Sequence, residues 1–178
     1  MRRTMVCYGT AALALALWFM ATALAVAGPV PIAGARPVLG DAGVASKNGV
    51  VADAAPTSFA EVTAAFTASP TTGTLGDAVE ASRATFSTTE PVEFDAVVLE
   101  SGLAGKTANL RLFIFDPRGR LAVAEFFVNG VAAPADRTGF FLQVNAGALP
   151  TGRFKWLMVV VDVFGNTFVT PFQGLEIQ

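Results

Sequence analysis

The run from Arg153 to Asn166, Arg-Phe-Lys-Trp-Leu-Met-Val-Val-Val-Asp-Val-Phe-Gly-Asn, constrains this chain more than any other stretch. Its β-branched and aromatic side chains pack well on a pleated surface and lose rotamer freedom in a helix, so the run reads as a long strand that stops at Asp162 and turns at Gly165-Asn166. It belongs to a series. Apolar runs recur at Val79 to Phe86, Val92 to Leu99, Asn109 to Phe115, Leu121 to Val128, Gly139 to Val144, Arg153 to Asp162 and Thr167 to Ile177. The stretches between them carry turn chemistry: Thr88 to Pro91, Ser101 to Gly105, Asp116 to Gly119, Asn129-Gly130, Ala148 to Gly152 and Phe164 to Asn166. Seven short strands at this spacing predict an all-β sandwich. In Asp116-Pro-Arg-Gly119, Pro117 presets the first central φ of a type I turn and Asp116 is placed to accept from its amides. Pro171 removes a ladder donor from the last run, which must therefore be an edge strand or break there.

Alternation within the strands sorts residues to two faces. Leu110, Leu112 and Ile114 fall on one face of the third strand, Phe154, Trp156, Met158 and Val160 on one face of the sixth, and Val92, Phe94, Ala96 and Val98 on one face of the second. These form the expected core, with Trp156 as its anchor and its indole N–H seeking a backbone acceptor. Glu93 and Asp95 lie on the opposite face of the second strand. They could mimic a catalytic carboxylate pair, but without a cleft they read as a solvated face. Of the adjacent pairs Phe126-Phe127 and Phe140-Phe141, one member of each is expected in the core.

Composition removes most chemistry. There is no His, and the one Cys, Cys7, lies near the N-terminus within an expected targeting segment, so a processed chain has no imidazole, thiol or disulfide. That segment has a basic start at Arg2-Arg3, an apolar stretch from Ala11 to Ala25 and small residues at Ala25-Val-Ala27, the pattern of a cleaved export signal over 1–27. Tyr8 to Ala27 is also uncharged and long enough to span a bilayer, so an uncleaved anchor is the rival reading. The formal net charge is −2, and losing Arg2 and Arg3 makes it more acidic. Without a basic cluster the chain is unsuited to nucleic acid or to anionic lipid.

Residues 28–78 are rich in Ala, Gly, Pro, Thr and Ser and read as a flexible leader. One short helix is expected there, 59–67, because Ser58 and Glu61 fit a capping box and Phe59, Val62 and Phe66 share a helical face. The sandwich is expected over 79–178.

Glu90-Pro-Val-Glu-Phe94, Leu110 to Gly119, Leu149 to Trp156 and Val161 to Asn166 together resemble the immunoglobulin-like and macroglobulin-like sandwich domains of bacterial surface and periplasmic proteins. The resemblance implies an all-β, antiparallel immunoglobulin-like β-sandwich of about seven strands that works in adhesion, spacing or assembly, with no catalytic residues to carry over. The chain lacks the inter-sheet Cys pair of antibody domains.

Function is then a question of surface. If the third and sixth strands are neighbours, their outer face carries Phe113 and Phe115 beside Leu157, Val159 and Val161, an apolar band that a monomer seldom leaves bare. Either the leader helix covers it, or a partner does: another envelope protein or a second copy. Asp162, Asn166 and Glu100 are expected at one end of the sandwich, where their oxygens suit Ca²⁺; the competing reading is a turn in which Asp162 and Asn166 satisfy backbone groups around a positive-φ Gly165. The expectation is thus a noncatalytic exported domain, periplasmic, surface-bound or extracellular, needing no cofactor and leaving the membrane once its signal is cut. The alternative is a module that binds polysaccharide or another envelope ligand.

Overall fold

The computed structural model describes residues 31–38, 60–145 and 147–178, so the expected signal segment lies outside the described residues. The elements in chain order are β1 (Ile32–Pro37), β2 (Ala60–Ala68), α1 (Leu75–Glu80), β3 (Thr85–Phe86), β4 (Val92–Glu100), β5 (Thr107–Phe115), β6 (Ala122–Ala132), β7 (Arg137–Val144), β8 (Gly152–Asp162), β9 (Thr167–Val169) and β10 (Gln173–Ile177). They build two sheets. The first has the order β1-β7-β4-β2, and the second has the order β3-β10-β8-β5-β6 with β9 also paired to β8. All pairings are antiparallel except β3 with β10. β2-β4-β7 facing β10-β8-β5-β6 is the A-B-E against G-F-C-C′ arrangement of an immunoglobulin-like sandwich, with β1 in the place of strand D.

The core lies between the sheets and follows the alternation of three strands. Phe94, Ala96 and Val98 of β4, Leu110, Leu112 and Ile114 of β5, and Trp156, Met158 and Val160 of β8 are all buried in it. Phe94 meets Trp156 edge to face at 5.2 Å between centroids. The Trp156 indole N–H has no hydrogen-bond partner among the described residues, contrary to the expected backbone acceptor. Phe154 is partly buried against this cluster, Phe126 and Phe140 point into it, and Phe127 is exposed.

Four expectations about local structure change. Of the stretch 59–67, expected as a helix, residue 59 lies outside the described residues and residues 60–67 belong to the strand β2, which pairs along β4 from Ala60↔Glu100 to Ala68↔Glu93. Its Ala residues suit either conformation, and the decisive factor is tertiary: a bulge between Val62 and Ala64 lets Ala65 face the main core while Ala64, Phe66 and Ala68 face outward beneath α1. The run Val79 to Phe86, expected as a strand, is instead the end of α1, a turn and the two-residue β3. The working capping box is at Thr74: its hydroxyl accepts from the Asp77 amide, and Asp77 Oδ2 accepts from the Thr74 amide. Asn129-Gly130, expected as a turn, lies inside β6, where Gly130 at φ 71° makes a bulge and its amide bonds Asn109 Oδ1. The leader 28–78 therefore supplies two strands and a helix, and ten strands are present among the described residues where about seven were expected.

One expected turn and one expected strand break form as predicted. Asp116 Oδ1 accepts from the amides of Arg120 and Leu121, closing the β5–β6 connection. The last run breaks at Pro171 into β9 and β10, and Thr170 bridges the break by bonding Met158 through both its hydroxyl and its amide.

Candidate functional site

Three places on this scaffold hold chemistry or exposed contact area. The first is the outer face of the second sheet. The β5–β8 register sets Phe113 opposite Leu157 and Arg111 opposite Val159, and β9 adds Val169 beside Val159. Phe113, Phe115, Leu157, Val159 and Val161 are all partly exposed on this face. Phe172 extends the band, stacking on Phe115 edge to face at 5.3 Å while remaining 49% exposed. The leader does not cover it among the described residues, since β2 and α1 lie on the other sheet.

The second is the corner where β8 turns. Asp162 Oδ1 accepts from the amides of Phe164 and Asn166, Gly165 takes φ 87°, and the Asn166 side-chain amide donates to Asp162 Oδ2 and to Glu100 Oε1. Asp162, Asn166 and Glu100 thus converge as expected, in the turn arrangement. Burial, reinforced by the neighbouring Asp162, raises the pKa of Glu100. Burial works the same way on Asp162, but hydrogen bonds from Glu100 and Asn166 outweigh it and lower its pKa. Their pKa values are thus pushed apart, and the Asn166 side-chain amide bridges the two groups. Among the described residues no group of three or more acidic, His or Cys side chains is placed to hold a metal.

The third place is the outer face of the first sheet, where the sequence placed Glu93 and Asp95 in solvent. The face is right and the exposure is wrong: Glu93 is 1% and Asp95 0% exposed. Half of this face is covered by α1, whose Leu75 and Ala78 pack on Ala64, Phe66, Ala68 and Val97. The other half is closed by Arg36 of β1. Its guanidinium bonds Glu93 bidentately at 2.8 and 2.9 Å, reaches Asp95 Oδ1 at 3.3 Å, donates to the Thr71 carbonyl at 2.6 Å and lies 4.2 Å above the Phe141 ring. Two glycines make room. A Cβ on Gly34 would meet Phe141 at 2.5 Å, and one on Gly139 would meet Leu75 at 2.9 Å. Beside the ion cluster lies an open groove of about 550 Å³ between β1 and the 71–74 segment, lined also by Glu93, Phe141 and Gln143.

Burial, together with the adjacent Glu93, pushes Asp95 well above the ordinary carboxylate range, against the opposing pull of Arg36. The folded chain therefore holds this proton at pH values where the unfolded chain has released it, so stability falls as pH rises from the ordinary Asp range through the folded pKa. Asp95→Asn keeps the shape and a donor toward Glu93 and removes the titration. Thermal melts across that range are expected to show the variant gaining on the parent as pH rises; parallel profiles would mean that Asp95 is not held protonated.

No protein-family model matches the sequence, and no curated protein matches it. Among solved structures the chain is similar to a CARDB domain from Pyrococcus furiosus, solved in complex with di-metal ions, at 11% identity and a TM-score of 0.35, covering 71% of this chain and 96% of that one. It is also similar to an immunoglobulin-like protein from Pseudomonas aeruginosa at 13% identity and a TM-score of 0.33, covering 54% of this chain and 79% of that one. At these values neither likeness bears on ligand or activity. No helix among the described residues is long and apolar enough to cross a membrane.

Proposed function

We propose that the chain is a noncatalytic, exported β-sandwich that works by contact, as an accessory or structural subunit of a cell-envelope or extracellular assembly. The observation that carries this reading is the apolar band of Phe113, Phe115, Leu157, Val159 and Val161, continued by Val169 and Phe172, which no described part of the chain covers. Its occupant is a second copy or another envelope protein. A band of this kind is a recognised mark of an interaction surface.

The test is the solution mass of the chain from Gly28 to Gln178 across a dilution series, with binding of a hydrophobic dye measured alongside. Phe113→Ser is expected to reduce both self-association and dye binding while leaving the melting temperature within about 2–4 °C of the parent, as for a change of roughly 1 kcal/mol. A chain that stays monomeric, binds no dye and is indifferent to Phe113→Ser would sink the reading.

A ligand-binding role has one observation in its favour, the groove beside Arg36. Its Glu93 is already engaged by Arg36, and the Thr71 and Thr74 hydroxyls by neighbouring groups of the 71–77 segment, so the Phe141 ring, Gln143 and the Thr72 hydroxyl are the groups left to meet a ligand, which suits a neutral polar one such as a saccharide.

A further inference from the structure

Strand β1 sits in the sheet as a separable piece. It is the first element among the described residues yet lies at the far edge from β2, seated on β7 through the register Ile32↔Gln143 to Pro37↔Thr138. Following that register across the sheet, Pro37 lies level with Thr138, Val98 and Val62. The end of β1 and the start of β2 are therefore at the same end of the sheet, three strand spacings or about 14 Å apart. The 21 residues from 39 to 59 join them, a length that can reach about 70 Å when extended. The connection is several times longer than the crossing requires.

The seat on β7 is also selective. Its two inward positions are filled by Ala33 and Ala35, which pack against the main core. It accepts no side chain under Phe141, where Gly34 lies. It then demands a planar cation for the Glu93 and Asp95 pair, which Arg36 supplies with a bidentate fork that Lys cannot reproduce. Ala33-Gly-Ala-Arg36 is thus a strand motif fitted residue by residue to the open edge of β7, and every copy of the chain carries both motif and seat.

We propose that β1 is an exchangeable strand, and that a second copy of this chain donates its own Ile32–Pro37 to the β7 edge. This interface is independent of the apolar face of the other sheet. The contacts made within one chain and between two are identical, so tether and concentration decide between them. A tether of 21 residues holds its own strand at an effective concentration set by its length, on the order of millimolar. Dilute chains keep β1 at home, and exchange grows as the local concentration approaches that of the tether.

The test uses the cysteine-free chain beginning at Gly28, which retains every described residue. Ile32→Cys and Gln143→Cys, paired across β1 and β7, are made in separate chains carrying different affinity tags, unfolded together, refolded over a range of concentrations and oxidised. A covalent heterodimer bearing both tags, rising with concentration and lost when Gly34→Val is added to the Ile32→Cys chain, is the expected result. The double variant in one chain should close as a monomer at low concentration. Strand exchange is overturned if the double variant closes in cis at every concentration while the mixture yields no heterodimer, or if neither link forms. Adding Phe113→Ser separates the two interfaces: a heterodimer that persists comes from β1, whereas association that vanishes without a β1 link belongs to the apolar face.

Discussion

Arg36→Ala is expected to destabilise the domain by about 3–5 kcal/mol, the scale of breaking a buried ion pair from one side. The cost comes from what stays behind. Glu93, 1% exposed, and Asp95, 0% exposed, keep their place on β4 beneath the 71–74 segment, and the partner of the bidentate bond is gone. The Thr71 carbonyl loses its donor too, so the edge of the groove loosens with the strand. Thermal melts measure the size of the effect, and amide exchange locates it: faster exchange is expected at β7, where β1 rests, while β8 in the other sheet stays protected. Arg36→Met combined with Glu93→Gln and Asp95→Asn should recover much of the loss, because no charge is then left buried without a partner. Arg36→Ala melting with the parent would mean that the cluster is not formed in solution.

This cluster explains why the chain keeps a strand so far ahead of the rest of its fold. The other strands of both sheets follow one another from residue 60 onward, and the position beside β7 is filled from outside that series. Without β1, the β7 edge would present unpaired backbone groups beside two buried acids, an exposed edge of the kind that pairs with other chains. Arg36 thus serves two ends: it gives the buried acids their hydrogen-bond donor and it fastens β1 to this edge. The same arrangement leaves the second sheet free to carry an apolar outer face, since neither β1 nor α1 is available to cover it.

The parts legible in the sequence are those where one strand face is buried and the other is not. Val92 to Leu99, Asn109 to Phe115 and Arg153 to Asp162 announce themselves by alternation, and their inward residues form the core as expected. The convergence of Asp162, Asn166 and Glu100 is legible for a similar reason, since a Gly-Asn turn and a loop at the same end of a sandwich must meet. β1 and β2 are hidden because Ala and Gly carry little hydrophobic signal, and here their smallness is what fits them: Gly34 lies under a ring, and Ala64 and Ala68 lie under a helix. The burial of Glu93 is hidden by distance, since its partner stands 57 positions earlier. The groove draws on β1, the 71–74 segment, β4 and β7 together, and no local pattern joins those four.

Trp156→Ala should cost on the order of 3–5 kcal/mol through the cavity it opens, enough to lower the melting temperature by roughly 6–20 °C in a domain of this size. Trp156 is fully buried, stands opposite Ile114 in the β5–β8 register and takes the edge-to-face contact of Phe94 from the other sheet, so it touches both layers that the core holds together. Its indole N–H is the weak point of this anchor, because it is buried without a partner among the described residues. A donor left unmade inside a core carries a desolvation cost of about 1–3 kcal/mol. Trp156→Phe deletes that donor while keeping an aromatic ring against Phe94, so it should cost far less than Trp156→Ala and less than the lost volume alone implies. Melts of the two variants side by side decide the point. Equal losses from Phe and Ala would show that the indole nitrogen is satisfied in solution, and an unaffected Trp156→Ala would mean that β8 does not pack in this register.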